Sequence, residues 1–434
     1  MHTQNINQCL AAGSIDQQGV FPHIDQLMQC PFVFSMNFGL DVLPTEPGII
    51  MIRGARQYGK STWLEQALKA SIEQFGKGSA YYLNGDYLLE SHRLESAITD
   101  LLPSFHKDAA IKRIFIDEIT AIPSWEQVLK RLADSGQLRD ILIVTTGSNA
   151  LDLRRGAERL PGRKGKLART RYLFTPISYD EFYRVCHDHL KENTLPAYML
   201  SGGSPIACAE IAQHSSLPEY VVELARDWID GEFARTGRTR QAIYNVMTVI
   251  FKCGGTPLGQ AKLAREAGLA NNTIAANYVE LMNDLGIVLP SFAWDADKHL
   301  PILRKPCKYH ITNLLAALAF YPAGLRRIEQ MRDLPAQEQA IWLEWLVAQE
   351  EMRRAAIAGK EILSPQRFWQ SKTHEIDFVT ADGFLEVKRG KCTALEFVWF
   401  AKQFPNQTLT VITNTPFEAR NVRGISMEQY LMEQ

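Results

Sequence analysis

The sequence has little net charge and few features of secreted or membrane proteins. Its 47 Lys and Arg residues are balanced by 48 Asp and Glu residues, which leaves a formal charge of −1. This balance argues against a uniformly basic protein that coats nucleic acid, although a local basic patch is compatible with it. The seven cysteines are scattered without a CxxC pair, which indicates free thiols in a reducing compartment. No apolar run approaches membrane length and the first residues lack a secretory apolar core, so we expect a cytoplasmic protein that contacts no membrane.

A glycine-bracketed loop between an apolar strand and a helix is the clearest motif. Residues 49–52 are typical of a buried parallel strand, and residues 61–70 carry apolar side chains at helical spacing. The glycines let the backbone curl so that successive N–H groups point at phosphate oxygens, while the lysine meets the outer phosphates. A chance glycine turn is the alternative, but strand, loop and helix together predict an ATP site. Its residues are Gly54, Ala55, Arg56, Gln57, Tyr58, Gly59, Lys60, Ser61 and Thr62, with Ser61 as a Mg²⁺ ligand.

Two further apolar strands end in polar side chains. The strand at 114–116 ends in Asp117, which is placed to reach Mg²⁺ through water, and in Glu118, which is placed to polarise the attacking water. A small-molecule kinase would not need Glu118, because its substrate supplies the nucleophile. The strand at 141–144 leads to Ser148, which is placed to sense the γ-phosphate. Three such strands separated by helices predict an α/β fold with a parallel sheet and the nucleotide at the carboxyl ends of the strands.

Five segments occur in the order found in a family of prokaryotic AAA-type ATPases: "RGARQYGKSTWL", "IFIDEITAIPSWEQVLKRLAD", "IVTTGSNALDL", "LPGRKGK…YLFTPISYDEF" and "YMLSGGSPIA". The chain resembles this family from about residue 30 onward, strongly in the first half and more weakly in the second. The resemblance implies an ATPase that forms oligomers. It also implies a helical lid, a winged helix and a C-terminal domain related to restriction endonucleases, of the PD-(D/E)XK type.

The resemblance and the sequence patterns together predict five segments. At 434 residues the chain is long enough for two or three domains, each with its own core. The predicted boundaries are an N-terminal segment at 1–45, a P-loop ATPase core at 46–175, a helical lid at 176–235, a winged helix at 236–325 and the restriction-endonuclease-like domain at 335–434.

A basic run lies between the predicted core and lid. Residues 154–171 contain eight basic side chains against the single acid Glu158. Such a run is most often a solvated loop. In an oligomer, however, an arginine must reach the neighbouring subunit's γ-phosphate to neutralise charge in the transition state. Arg163 matches the family's "GR" position and is the candidate, with Arg159 second.

The sequence of the predicted winged helix does not decide whether its partner is DNA or a protein. Its second helix begins at a capping Asn and offers amide and hydroxyl groups that can contact base edges, but it carries no Lys or Arg. DNA binding and docking of a protein therefore have equal weight. The base-reading candidates are Asn271, Asn272, Thr273 and Asn277, the acids beside them are Glu280 and Asp284, and the phosphate-contact candidates are Lys262, Arg265, Lys298, Arg304, Lys305 and Lys308.

A second possible site lies in the last hundred residues. A predicted hairpin carries Asp377 on one strand and Glu386 and Lys388 on the next, where residues two apart share a face. Two carboxylates can hold Mg²⁺, and a lysine beside them can help to activate a water for attack on a phosphodiester. This D…ExK set resembles the restriction-endonuclease-like superfamily, with Glu344 at the position of its helix acid. Ordinary solvated charges, or a fold that has lost its activity, are the alternatives.

These patterns predict an ATP- and Mg²⁺-dependent enzyme that acts on nucleic acid, with DNA the expected type, as a homo-oligomer in defence or mobile-element biology. A C-terminal metal-dependent nuclease, with Asp377, Glu386 and Glu344 as metal ligands, would be coupled to it. The alternative is an ATP-switched signalling or interaction protein whose nuclease-like domain is inactive and docks a protein partner.

Overall fold

The computed structural model describes residues 3–148, 166–360 and 365–433. The chain divides into two compact units, Met1–Thr175 with Ala356–Lys360, and Pro176–Ala355 with Glu361–Gln434. Within the described ranges, no helix has both the length and the apolar character that a membrane span requires.

The first unit is built on a five-stranded sheet with the order β2–β3–β4–β1–β5. All neighbouring strands in it run parallel, which confirms the predicted α/β fold. Because β4 lies between β1 and β3, its carboxyl end stands beside both the loop after β1 and the acids after β3. The elements are α1 (Thr3–Ala12), α2 (Pro22–Leu27), β1 (Gly48–Arg53), α3 (Lys60–Phe75), β2 (Ala80–Asn84), α4 (Ser91–Leu101), β3 (Lys112–Asp117), α5 (Trp125–Asp134), β4 (Ile141–Gly147) and β5 (Arg171–Leu173).

Strand β1 is buried on both faces of this sheet. Ile50 and Ile52 pack with helix α3 in one hydrophobic cluster, whereas Ile49 and Met51 pack with helix α5 in another. The alternation follows from the two-residue period of a strand, and a continuous apolar run is what a strand covered on both faces requires. Each such side chain contributes roughly 1.5–3 kcal/mol when it is fully buried. The loop that follows β1 therefore leaves a rigid strand at a defined point.

The second unit begins with helices. Helix α12 begins after Asn271, whose Oδ1 accepts a hydrogen bond from the Ile274 N–H at 2.9 Å, and it is followed by Gly286 at φ +69°. This is the helix that the sequence predicts with a capping Asn and a closing Gly. The helices are α6 (Tyr179–Leu190), α7 (Thr194–Ser201), α8 (Pro205–His214), α9 (Glu219–Ala234), α10 (Arg240–Lys252), α11 (Gln260–Glu266), α12 (Asn272–Asp284), α13 (Leu314–Phe320), α14 (Ile328–Arg332), α15 (Ala336–Ile357), α16 (Val398–Gln403) and α17 (Met427–Met432).

Two sheets belong to the second unit. One has the order β10–β9–β6–β7, with β8 also paired to β6, and the other has the order β11–β12–β13–β15–β14. Strands β6 and β9 pair in parallel, so the predicted winged-helix segment and the predicted C-terminal domain share a sheet. The strands are β6 (Val288–Asp295), β7 (Leu300–Pro301), β8 (Lys308–Ile311), β9 (Gln366–Gln370), β10 (Glu375–Ile376), β11 (Phe378–Val379), β12 (Phe384–Val387), β13 (Leu409–Ile412), β14 (Phe417–Ala419) and β15 (Val422–Ile425).

Candidate functional site

The loop between β1 and α3 has a backbone shape that suits phosphate. A Cβ on Gly54 would lie 2.8 Å from Phe174 Cβ, and the Phe174 N–H donates to the Arg53 carbonyl at 2.6 Å, so only glycine fits there. Gln57 and Gly59 have φ values of +60° and +94°. Positive φ within such a loop turns successive N–H groups toward a common point, where they form an anion-binding concavity.

Lys60 is the buried cation of this loop. Its Nζ donates to the carbonyls of Gly54 at 3.0 Å and Ala55 at 2.7 Å. Burial lowers the pKa of Lys60 to about 8, although the nearby carboxylates of Glu118 and Asp117 oppose that shift. The loop carbonyls therefore hold the Lys60 ammonium inside the loop, where the oxygens of a bound phosphate would accept hydrogen bonds from it.

Asp117 and Ser61 are the groups that could hold a magnesium ion. Asp117 is buried, and its Oδ1 accepts a hydrogen bond of 2.5 Å from Thr146 Oγ1 at the end of β4. Ser61 lies in the first turn of α3, directly after Lys60. A carboxylate and a hydroxyl oxygen are hard ligands of the kind that Mg²⁺ prefers, so this donor set fits the ion.

Glu118 is held in an unusual backbone conformation, with φ at +46°. Its Oε1 accepts hydrogen bonds from Ser148 N–H at 2.8 Å, Ser148 Oγ at 2.6 Å and Thr120 Oγ1 at 2.9 Å. Burial alone would raise the pKa of Glu118, but Lys60 and the bonds from Ser148 outweigh it and lower the pKa below its ordinary value. The carboxylate is thus ionised and oriented. Because all three bonds end on Oε1, Oε2 is the oxygen that would accept a proton from water.

Sequence reasoning missed Gly85, and it named Arg56 among the loop residues without foreseeing its contact with Ser148. Gly85 follows β2 directly, and a Cβ there would lie 2.3 Å from the Glu118 carbonyl oxygen. Arg56 donates from Nε to Ser148 Oγ at 3.4 Å, which links the loop to the end of β4. A glycine placed directly after a strand at the nucleotide edge of the sheet was the signal available for the first. The second depends on a contact between distant parts of the chain.

The candidate arginines cannot be placed beside this site. Arg163 and Arg159 lie within 149–165, outside the residues that the structure describes. Their role on a neighbouring subunit stays a prediction.

The D…ExK residues come together in the second unit. The Asp377 N–H donates to Glu386 Oε2 at 3.2 Å, and Asp377 Oδ2 accepts from the Val387 N–H at 3.0 Å. Lys388 Nζ lies 2.5 Å from Glu386 Oε1 on the same strand edge. The hairpin therefore brings both carboxylates and the lysine to one place.

A second lysine, which the sequence led us to expect at a phosphate, also lies in this cluster. Lys308 of β8 is fully buried, so it is not available to contact a nucleic-acid backbone. Its Nζ lies 3.2 Å from Glu344 Oε1, 2.6 Å from Glu375 Oε1 and 2.9 Å from Asp377 Oδ1. His310, two residues further along β8, has its Nε2 3.0 Å from Glu344 Oε1.

Two acids of this cluster, Glu344 and Glu386, have opposite pKa shifts. Burial would raise the pKa of Glu344, but Lys308 and His310 outweigh it and lower the pKa to about 2. Burial raises the pKa of Glu386 to about 8, with the charge of Asp377 acting in the same direction against Lys388. The surroundings of Glu344 therefore favour its ionised form, whereas burial, more than the charge of Asp377, disfavours the ionised form of Glu386.

A divalent ion does not fit the C-terminal cluster in this arrangement. The space between Glu344 and Asp377 is taken by the Lys308 ammonium. Within the parts of the chain that the structure describes, no group of three or more His, Cys, Asp or Glu residues is arranged to hold a metal. The metal role of Asp377, Glu386 and Glu344 stays a prediction.

The comparisons with known proteins bear on the first unit. Residues 46–183 match the family model described as an AAA domain. The match spans the phosphate loop, the acids after β3 and the polar end of β4. This part of the chain is therefore similar to AAA-type P-loop ATPases, in agreement with its parallel sheet.

Sequence identity and structural similarity to individual proteins are low. An uncharacterized protein of Methanocaldococcus jannaschii, MJ1544, is 25% identical over 236 residues, which are 50% of this chain and 47% of that protein. This chain thus spans about half the length of that relative. The Walker-type ATPase PABY2304 of Pyrococcus abyssi has a TM-score of 0.42 at 13% identity, covering 69% of this chain and 93% of its own. The ORC1 protein of Aeropyrum pernix, solved in complex with DNA, has a TM-score of 0.33 at 14% identity, covering 74% and 92%. Structural similarities this low add nothing about function.

Proposed function

We propose that this protein is a Mg²⁺-dependent ATP hydrolase that acts on nucleic acid. The observation that supports hydrolysis is the state of Glu118 at the end of β3. Its carboxylate is ionised, is held by hydrogen bonds from Ser148 and lies beside the buried cation Lys60. An ATP-binding protein that never hydrolyses its nucleotide has no need for a carboxylate in this position.

Each residue has one task in this proposal. Lys60 and the loop N–H groups would bind the phosphates, and Ser61 and Asp117 would hold Mg²⁺, which would supply positive charge to neutralise the phosphates. Glu118 orients the attacking water through Oε2 and takes its proton. Arg163 of one subunit would complete the site of another, as the predicted homo-oligomer requires.

Action on nucleic acid is supported by the surface of helix α12. The base-reading candidates at its beginning are exposed, and exposed basic side chains lie on α11 and around β7. The helix itself is negatively charged, so docking of a protein partner remains the alternative to nucleic-acid binding. The exposed polar residues are Asn271, Asn272, Thr273 and Asn277, and the exposed basic ones are Lys262, Arg265, Lys298, Arg304 and Lys305.

The test is the ATPase rate with and without nucleic acid. Duplex DNA, single-stranded DNA and RNA are each added to the wild type and to Glu118→Gln, and the same samples are assayed for cleavage in Mg²⁺ and Mn²⁺. We expect DNA to raise the ATPase rate of the wild type and to leave the rate of Glu118→Gln unchanged at background. Hydrolysis that is indifferent to every nucleic acid would contradict the nucleic-acid role while leaving the ATPase intact.

The second candidate is an ATP-switched interaction protein whose nuclease-like domain is inactive. One observation favours it, namely the Lys308 ammonium that lies among Glu344, Glu375 and Asp377. A protein of this kind would hydrolyse ATP without stimulation by nucleic acid and would cleave none in either metal.

A further inference from the structure

The cluster in the second unit contains a buried lysine and a buried histidine from the same strand. Lys308 contacts three carboxylates, and its side chain is only 1% exposed. His310 lies two positions along β8, so it faces the same side of the strand. A lysine that loses nearly all of its water requires paired acceptors, and this one has three carboxylates within 3.2 Å.

His310 completes the pairing of the helix acid. Gln366 fixes the ring, because its Nε2 donates to the Ala348 carbonyl at 2.9 Å and its Oε1 then faces His310 Nδ1 at 2.6 Å. Nδ1 is therefore the donor toward Gln366, and Nε2 points at the ionised Glu344 at 3.0 Å. Both ring nitrogens therefore face side-chain oxygens, Gln366 Oε1 on one side and Glu344 Oε1 on the other.

A divalent ion would need the position that the lysine occupies. Mg²⁺ binds carboxylate oxygens at about 2.0–2.1 Å and admits no ammonium among its ligands. Asp377 Oδ1 and Glu344 Oε1 both accept hydrogen bonds from the Lys308 ammonium, which occupies the space between them. Ion and lysine therefore exclude each other.

We propose that Lys308 takes the place of a divalent cation in this cluster: its ammonium occupies the position between Glu344, Glu375 and Asp377, and a metal ion binds there only when the lysine is removed by substitution. Strand β8 is held by antiparallel pairing to β6, where Lys308 lies opposite Ser291 and His310 opposite Leu289. The inference rests on the D…ExK site predicted from the sequence, but it concerns metal access and not cleavage.

The test uses the full chain, because β9 pairs with β6 and a C-terminal fragment would lose that partner. Mn²⁺ alone is titrated by calorimetry into the nucleotide-free wild type, Lys308→Met and Lys308→Met/Asp377→Asn. The matched control is Lys305→Met, which removes an exposed lysine three residues away. We expect Lys308→Met to gain one ion per chain relative to the wild type and to Lys305→Met, and the double variant to lose it. Mn²⁺ should also raise the Tm of Lys308→Met by about 5 °C, as expected for a ligand that binds only the folded state.

Two results would overturn the proposal. One is a wild-type chain that binds Mn²⁺ in a way that Asp377→Asn abolishes, since Lys308 would then not exclude the ion. The other is a folded Lys308→Met that gains no ion. If Lys308→Met does not fold, Lys308→Gln takes its place, and wild-type Mn²⁺ binding that Asp377→Asn abolishes would still overturn the proposal. Mn²⁺ binding without cleavage would leave this proposal standing and would contradict the nuclease activity alone.

Discussion

The substitution Gly85→Ala tests whether the backbone after β2 positions the hydrolytic carboxylate. The new Cβ would lie 2.3 Å from the Glu118 carbonyl oxygen, 2.9 Å from the Glu118 carbonyl carbon and 3.1 Å from the Asp117 carbonyl oxygen. All three neighbours are main-chain atoms, so none can rotate away. Relief requires the turn at Glu118 to move by about 1 Å, and its carboxylate moves with it.

The size of the effect follows from that displacement. A misplacement of about 1 Å at a catalytic group costs on the order of 100-fold in rate. Overpacking costs about 1–3 kcal/mol of folding free energy, which a domain with about 5–15 kcal/mol of stability survives. The phosphate loop and Lys60 are untouched. We therefore expect ATP binding within a few-fold of the wild type and a kcat that is about 100-fold lower.

The assay pairs nucleotide binding, by a fluorescent ATP analogue, with steady-state hydrolysis and a thermal melt. Gly231→Ala is the matched control, because a Cβ there meets nothing within 4 Å. A Gly85→Ala protein that folds and hydrolyses ATP at the wild-type rate would refute the positioning of Glu118 by this turn. Equal loss of binding and hydrolysis would show that the damage reaches the whole site.

Three further predictions concern the nucleotide site. Lys60→Ala should abolish ATP binding, whereas Glu118→Gln should keep binding and lose hydrolysis; equal loss of binding in both would contradict the role of Glu118. Arg163→Ala and Glu118→Gln should each be inactive alone and recover part of the rate when mixed, unless the protein works at full rate as a monomer. Because the pKa of Lys60 is lowered to about 8, the ammonium of the nucleotide-free protein is lost as pH rises through that value. ATP affinity should then fall by up to about tenfold per pH unit above it, and a pH-independent Kd between 7 and 9.5 would contradict that.

The first unit could be predicted from sequence because its signals are local. The loop at Gly54–Lys60 and the acids at Asp117 and Glu118 each stand next to the strand that presents them, and parallel strands bring their carboxyl ends to one edge. Ser148 and Glu118 are 30 residues apart in the sequence. They meet because β4 lies next to β3 in the sheet, which brings the ends of the two strands together. What pattern alone could not supply was the fit between backbones, such as Gly85 against Glu118, which depends on how two turns meet.

The second unit shows why a motif of acids is an incomplete guide to chemistry. The D…ExK pattern predicts that Asp377 and Glu386 converge, and they do, but it contains no information about which cation stands between the acids. Lys308 and Asp377 are 69 residues apart, and in sequence the lysine belongs to a stretch with several basic residues that is typical of nucleic-acid contact. Only the pairing of β8 with β6 turns it inward. Since the same carboxylates can be neutralised by a metal ion or by an internal lysine, the occupant of that position decides whether the cluster is a site for chemistry or a structural ion pair. Lys308→Met separates the two, because it removes the internal cation and leaves the carboxylates in place.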